Sequence, residues 1–176
     1  MRLSSRKVAG MFVQLASASE MPLNSIKLHK VMYFAHGHAL SWRGEGLIRE
    51  PALAHRFGAL YLRVFDSLAL FGADDLVGLR KHGARKALRA LGHDPCSYCE
   101  DVPAAEREIV EAVWRYYGPL SDRRVSEMFH VAGTPWEAIR QRYPDRDDMV
   151  IPDELTQDYF LGLKNRTKPR VAECLP

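Results

Sequence analysis

One segment restricts the fold of this chain more than any other. From Asn24 to Trp42 it reads NSIKLHKVMYFAHGHALSW. Ile26, Leu28, Val31, Met32, Tyr33, Phe34, Ala35, Leu40 and Trp42 run almost the whole way round a helical projection. A surface helix carries one apolar stripe, whereas a helix that is apolar on nearly every side is buried on most of them. Asn24 or Ser25 is placed to cap it, Pro22 stands just outside, and Gly44 and Gly46 end it. A chain of 176 residues has the length of one domain, so this segment is expected to be its central helix.

The remaining periodicity is also mainly helical. Val8, Met11, Phe12 and Leu15 mark a short amphipathic helix, and Pro103 opens another at AAEREIVEAVWRYY, which Gly118 and Pro119 stop. Ser121 caps a helix ending near Phe129 or His130. Thr134-Pro135-Trp136-Glu137 has the form of a capped start with proline at the first helical position. A last helix is predicted from Pro152 to about Leu163. Between Ala52 and Phe71 the three- and four-residue spacing predicts a further helix with a break at Gly58. Residues 46–57 also suit a short β-hairpin or an extended segment. The expected architecture is therefore mainly α: one compact helical domain over residues 1–163, built on a buried central helix, followed by a basic, flexible tail at 164–176.

Charge excludes some partners. The net +3 is accounted for by the tail, where Lys164, Arg166, Lys168 and Arg170 face only Glu173. The body is balanced and lacks the overall basic footprint of nucleic-acid binders. One local exception is the acid-free run holding Arg80, Lys81, Arg85, Lys86 and Arg89. Lys81, Arg85 and Arg89 recur every four residues and share a helix face, as a solvated surface or as a patch for phosphate or an acidic partner. No apolar run reaches the roughly 18 residues that cross a bilayer, and no signal peptide is read at the N-terminus. Three cysteines are too few for a disulfide scaffold, which suits a reducing cytoplasm.

Chemistry is sparse. His93, Cys96 and Cys99 could supply three zinc ligands, with His82 or Cys174 as a fourth. A lone CxxC is a weak signal, and no βαβ pattern surrounds it to suggest a redox pair. His29 and His36 lie on one face of the central helix but two turns apart, too far to share an ion. They are expected to be core histidines bonded to backbone. Asp74/Asp75 and Asp147/Asp148 sit in polar, loop-like contexts as solvated acids. No nucleophile elbow, metalloprotease helix, phosphate loop or dinucleotide fingerprint is present. No catalytic residue, cofactor or favoured metal site is expected.

Lys27-Leu28-His29-Lys30-Val31-Met32-Tyr33-Phe34-Ala35-His36-Gly37 resembles the KLQKLLYFAQGW signature of the Panacea domain, also called the SocA-like or phage-associated antitoxin domain. Further matches follow in order: Gly46-Leu47-Ile48, then Ala54 to Phe65 around Gly58, Val113-Trp114 to Gly118, Val125-Ser126 to His130, Pro135-Trp136, and Ile151 to Phe160. Order and spacing agree from about residue 8 to 162. His55, Ala59 and Phe129 stand where the family carries tryptophan, proline and threonine, and residues 73–102 have no counterpart.

The resemblance implies an antitoxin that neutralises a cognate toxin by direct binding, or that delivers it to a Clp-type protease as an adaptor. It marks Lys27, Leu28, Lys30, Tyr33, Gly58, Trp114, His130, Pro135 and Trp136 as structural or binding residues. Arg80, Lys81, Arg85, Arg89 and Tyr61 are the expected toxin contacts. The alternatives are a nucleic-acid-associated regulator using residues 80–89, and a small zinc protein.

Overall fold

The computed structural model describes residues 1–72, 75–77, 83–94 and 102–167. Its centre is α2 (Ser25–Arg43), the all-round apolar segment. The Asn24 side chain accepts from the Lys27 amide at 2.8 Å. Gly44, at φ +74°, closes the other end by donating its N–H to the Leu40 carbonyl, the left-handed exit that glycine adopts without strain.

Around α2 pack α1 (Ser5–Ala18), α5 (Ala104–Tyr117), α6 (Asp122–Phe129) and α8 (Asp153–Thr167), each as periodicity predicts, with α8 running four residues past the expected end. A shorter helix, α7 (Pro135–Arg142), carries the predicted cap. Thr134 Oγ1 accepts from the Glu137 amide at 3.3 Å, and Glu137 reaches back to the Gly133 amide at 2.6 Å. The basic segment contributes α4 (Gly83–Ala90), which lies against α1.

The helix predicted over Ala52–Phe71 does not form as such. β1 (Leu53–His55) and β2 (Gly58–Leu60) make an antiparallel hairpin, and only α3 (Leu62–Leu68), with a 3₁₀ turn over Ala69–Phe71, is helical. The reason lies far away in sequence. Residues 149–151 run beside β1, with Ala54 N–H donating to Met149 O and Ile151 N–H to Ala52 O. That outer ladder, together with β2, satisfies β1 on both edges, which local spacing cannot reveal. The other extended stretch lies nearby, where Leu3 and Ile48 form a parallel bridge.

Burial of α2 differs from the sequence expectation in one respect: Ile26 and Trp42 are 42% and 48% exposed, while Lys27 and Lys30 are buried. His29 and His36 are buried as expected, each accepting a backbone amide. Each buried polar group finds a partner on another element. Lys27 Nζ donates to the Gly118 and Leu120 carbonyls, at 2.9 and 2.7 Å. Tyr33 OH pairs with Thr156 Oγ1 at 2.9 Å. His36 accepts the Ile48 amide at Nδ1 and donates from Nε2 to Asp153, both at 3.0 Å. With these partners met, the helix can leave water with most of its polar groups bonded, His29 Nε2 and Arg43 Nη2 excepted among the described residues.

The α2–α8 contact has a regular form. Asp153, Thr156, Gln157 and Phe160 face His36, Tyr33, Leu40 and Gly37 respectively. A Cβ at Gly37 would overlap the buried Phe160 ring, so the missing side chain sets how closely the helices approach. Gly37→Ala should cost about 1–3 kcal/mol by overpacking, measured by urea denaturation. A loss under about 0.5 kcal/mol would show that the ring has room to move.

Candidate functional site

The hairpin is the part of the fold that the motif residues gather around. Its two-residue turn, Arg56-Phe57, leads into Gly58 at φ +124°, a conformation that L side chains rarely adopt. A Cβ there would also stand 3.0 Å from Lys30 Cε. Arg56 binds Asp147 through its amide at 3.0 Å and its guanidinium at 2.6–2.7 Å, and Arg140 reaches the same carboxylate at 3.0 Å. Bonding to Arg56 holds the Asp147 carboxyl below the usual carboxylate range. Asp147 is thus a clamp on the hairpin rather than a free solvated acid, while Asp148 stays exposed and pairs with Arg146. Likewise Asp75 is not merely solvated: it accepts from the Leu23 amide at 2.9 Å.

On one side of the hairpin sit Lys30, Ser126, Phe129, His130 and Trp136. Lys30 is 2% exposed and donates to Ser126 Oγ at 2.5 Å, with Nζ 6.0 Å over the Phe129 ring. Burial lowers its amine from the ordinary lysine value. His130 donates from Nδ1 to the Ser126 carbonyl at 2.8 Å and meets the Trp136 ring edge-on at 4.6 Å. Trp136, next to the buried Pro135, donates Nε1–H to the His55 carbonyl at 2.8 Å. These contacts join Lys30, Gly58, His130, Pro135 and Trp136 into one scaffold. Trp114 stands apart on α5, bonded to Ser19 at 3.2 Å, with Lys27 Nζ 5.9 Å from its ring. Tyr33 turns toward α8, and Leu28 is core.

On the other side of the hairpin lies an open apolar groove of about 290 Å³. Ile26, His29, Phe57, Gly58, Phe65 and Leu68 help to line it. Three of these are large and exposed: Phe57 at 64%, Phe65 at 45% and Ile26 at 42%. His29 is held by the chain entering α3, its Nδ1 accepting the Tyr61 amide at 3.2 Å while the two rings stack at 6.3 Å. That bond places the imidazole proton on Nε2, and Nε2 is buried with no partner among the described residues. The hairpin or extended segment expected at 46–57 is realised as strands over Leu53–Leu60, but spacing could not have found the groove, which also needs α2 and α3 packed beside it.

Tyr61 is a correction. Its side chain is fully buried, so it belongs to the core and not to a contact surface. Arg85 and Arg89 are exposed on α4. Arg80, Lys81, His82, Asp74, Cys96, Cys99 and Cys174 lie outside the described residues. His93 is half-buried and donates from Nε2 to the Arg6 carbonyl at 2.9 Å. Among the described residues no group of three or more His, Cys, Asp or Glu side chains could hold a metal ion, and no helix is long and apolar enough to cross a membrane.

A family model described as "Antitoxin SocA-like, Panacea domain" matches residues 28–137. The matched stretch runs from α2 to the first turn of α7, so it contains the hairpin and most of its supports. Antitoxin SocA of Caulobacter vibrioides (strain NA1000 / CB15N) is 25% identical over 142 residues, which is 78% of this chain and 70% of that protein. No solved structure matches the chain.

Buried His29 and half-buried His38 give the molecule a pH signature. Burial holds His29 at about 4, helped by the nearby His55, and burial alone holds His38 at about 4. The unfolded chain protonates both near 6.5. Below that value it binds protons that the folded chain refuses, so stability present above pH 6.5 is lost as pH falls toward 4. Each histidine adds a slope of up to about 1.4 kcal/mol per pH unit. The urea midpoint should therefore fall between pH 6.5 and 5, above the carboxylate range. A level midpoint there would contradict neutral burial.

Proposed function

The chain belongs to the SocA-like, Panacea-domain antitoxin family, and from that premise we propose that it neutralises a cognate toxin by binding it directly through the hairpin face. Family membership suggests an antitoxin and a regulator that is not an enzyme. The observation that supports the hairpin face is its composition: three large apolar side chains are exposed around one groove, on a part of the fold pinned by arginine–carboxylate clamps and a tryptophan bond. Exposed apolar surface on a rigid support is what a protein interface needs. Neutralisation of this kind requires no chemistry of its own, only coverage of the toxin's working groups.

The exposed cations of α4 have a second role in this reading. Arg85, Lys86 and Arg89 project from a helix with no acidic side chain, and such a patch steers an acidic partner and speeds encounter.

Expression of the neighbouring reading frame alone should stop growth, and co-expression of this chain should restore it. Absence of either effect would overturn the reading. If neutralisation is direct, the toxin persists in rescued cells; if it vanishes only where a Clp-type protease is active, the chain acts as a delivery adaptor. For the patch, Arg85→Glu combined with Arg89→Glu should weaken toxin binding about tenfold or more at low salt, chiefly through slower association. Unchanged association would remove it from the interface.

A further inference from the structure

We propose that the hairpin groove seats one apolar side chain of the toxin, and that a main-chain carbonyl beside that side chain accepts the Nε2–H of His29. The proposal deepens the toxin-binding reading and rests on it.

Four observations carry it. First, His29 presents a donor and nothing else. Its Nδ1 is engaged by the Tyr61 amide, and its Nε2 is buried without a partner among the described residues. Burial keeps the ring neutral through the physiological range, so the occupant must bring an acceptor. A lone N–H withdrawn from water is costly, and supplying its acceptor is a gain that only the right partner provides. Second, among the described residues no carboxylate lines the groove, so a lysine or arginine entering it would lose water and find no counter-charge there. Third, the volume of about 290 Å³ falls at the bottom of the roughly 300–1,000 Å³ range of small-molecule pockets. It suits a single large side chain with its adjoining peptide rather than a nucleotide-sized ligand.

The fourth observation is the rim. Phe57 and Phe65 stand out beside the groove, exposed at 64% and 45%, and so extend the apolar surface outward around a central pocket. An anchor residue in a desolvated pocket, ringed by contacts that exclude water, is the usual form of an interface hot spot. Ala69, small and exposed in the wall, leaves space for a partner's backbone to come close to the groove. Together these features specify an apolar side chain followed or preceded by an uncommitted carbonyl, as in an extended or loop segment rather than the middle of a helix, where carbonyls are already bonded.

The test uses the full chain and, as probe, the purified product of the neighbouring reading frame. Ala69 is exposed and lines the groove, so Ala69→Trp fills the pocket from the surface. It should weaken binding at least thirtyfold and abolish growth rescue with an unchanged melting temperature. Phe57→Ser, on the exposed turn, should weaken binding about tenfold and guards against a folding defect in the first variant. In the wild-type complex the His29 Nε2–H proton should appear as a slowly exchanging resonance shifted downfield by imidazole NMR. Ala69→Trp and Phe57→Ser binding within threefold of wild type would overturn the groove, and an unshifted, fast-exchanging Nε2–H would overturn the hydrogen bond. A wild-type dimer that Ala69→Trp converts to monomer would assign the groove to a second copy of this chain and overturn the proposal. Failure of the wild type itself to bind the probe or rescue growth would instead bring down the underlying toxin-binding reading.

Discussion

A helix enclosed on most sides must hide polar side chains along with its apolar ones, and α2 carries two lysines, two histidines and a tyrosine into the interior. Each would be expensive to bury alone. The cost is offset because each reaches a neighbouring element: Lys27 to the carbonyls after α5, His29 to the amide that starts α3, Lys30 to α6, Tyr33 and His36 to α8. Bonds of this sort do more than offset desolvation, since they fix where each surrounding element must lie. Apolar packing alone tolerates many arrangements of helices around a greasy rod. Directional partners at Lys27, His29, Lys30, Tyr33 and His36 select one.

The hairpin inherits its position from that arrangement. His29 and Lys30 are consecutive, so their side chains leave α2 about 100° apart and serve opposite sides of the same structure. Lys30 passes under Gly58 to Ser126, and His29 receives Tyr61 just beyond β2. Asp147 and Trp136 then tie down the turn and strand from outside. The result is a small two-stranded element that is not stable by itself, held firmly enough to expose Phe57 on its turn. Rigidity of this kind lowers the ordering cost of binding.

The helical frame was legible in the sequence because its signals are local. Periodicity placed α1, α2, α5, α6 and α8, and side-chain chemistry placed the caps at Asn24, Ser121 and Thr134. The resemblance at Lys27–Gly37 and beyond pointed to the family to which the chain belongs. What escaped depends on distant partners. Ala52–Leu60 reads as helix until Met149–Ile151 is known to run beside it. Tyr61 reads as available until α2 and α3 close over it, and Asp147 reads as solvated until Arg56 and Arg140 are seen to converge on it. The groove needs all of these at once. Among the motif residues nothing in the spacing separates Lys30 and Gly58, which shape the hairpin, from Leu28, which simply fills the core.

Function comes from a surface held in place by the directional bonds of α2, Asp147 and Trp136. Hydrogen exchange read by mass spectrometry, on the free chain and on its complex with the neighbouring reading frame's product, tests that most directly. The α2 amides should exchange slowest in the free chain and be unaltered by binding, while protection on complex formation concentrates in peptides covering residues 53–72. Protection centred on α5 and α8 with the hairpin unchanged, or an α2 that exchanges faster than the helices around it, would contradict it.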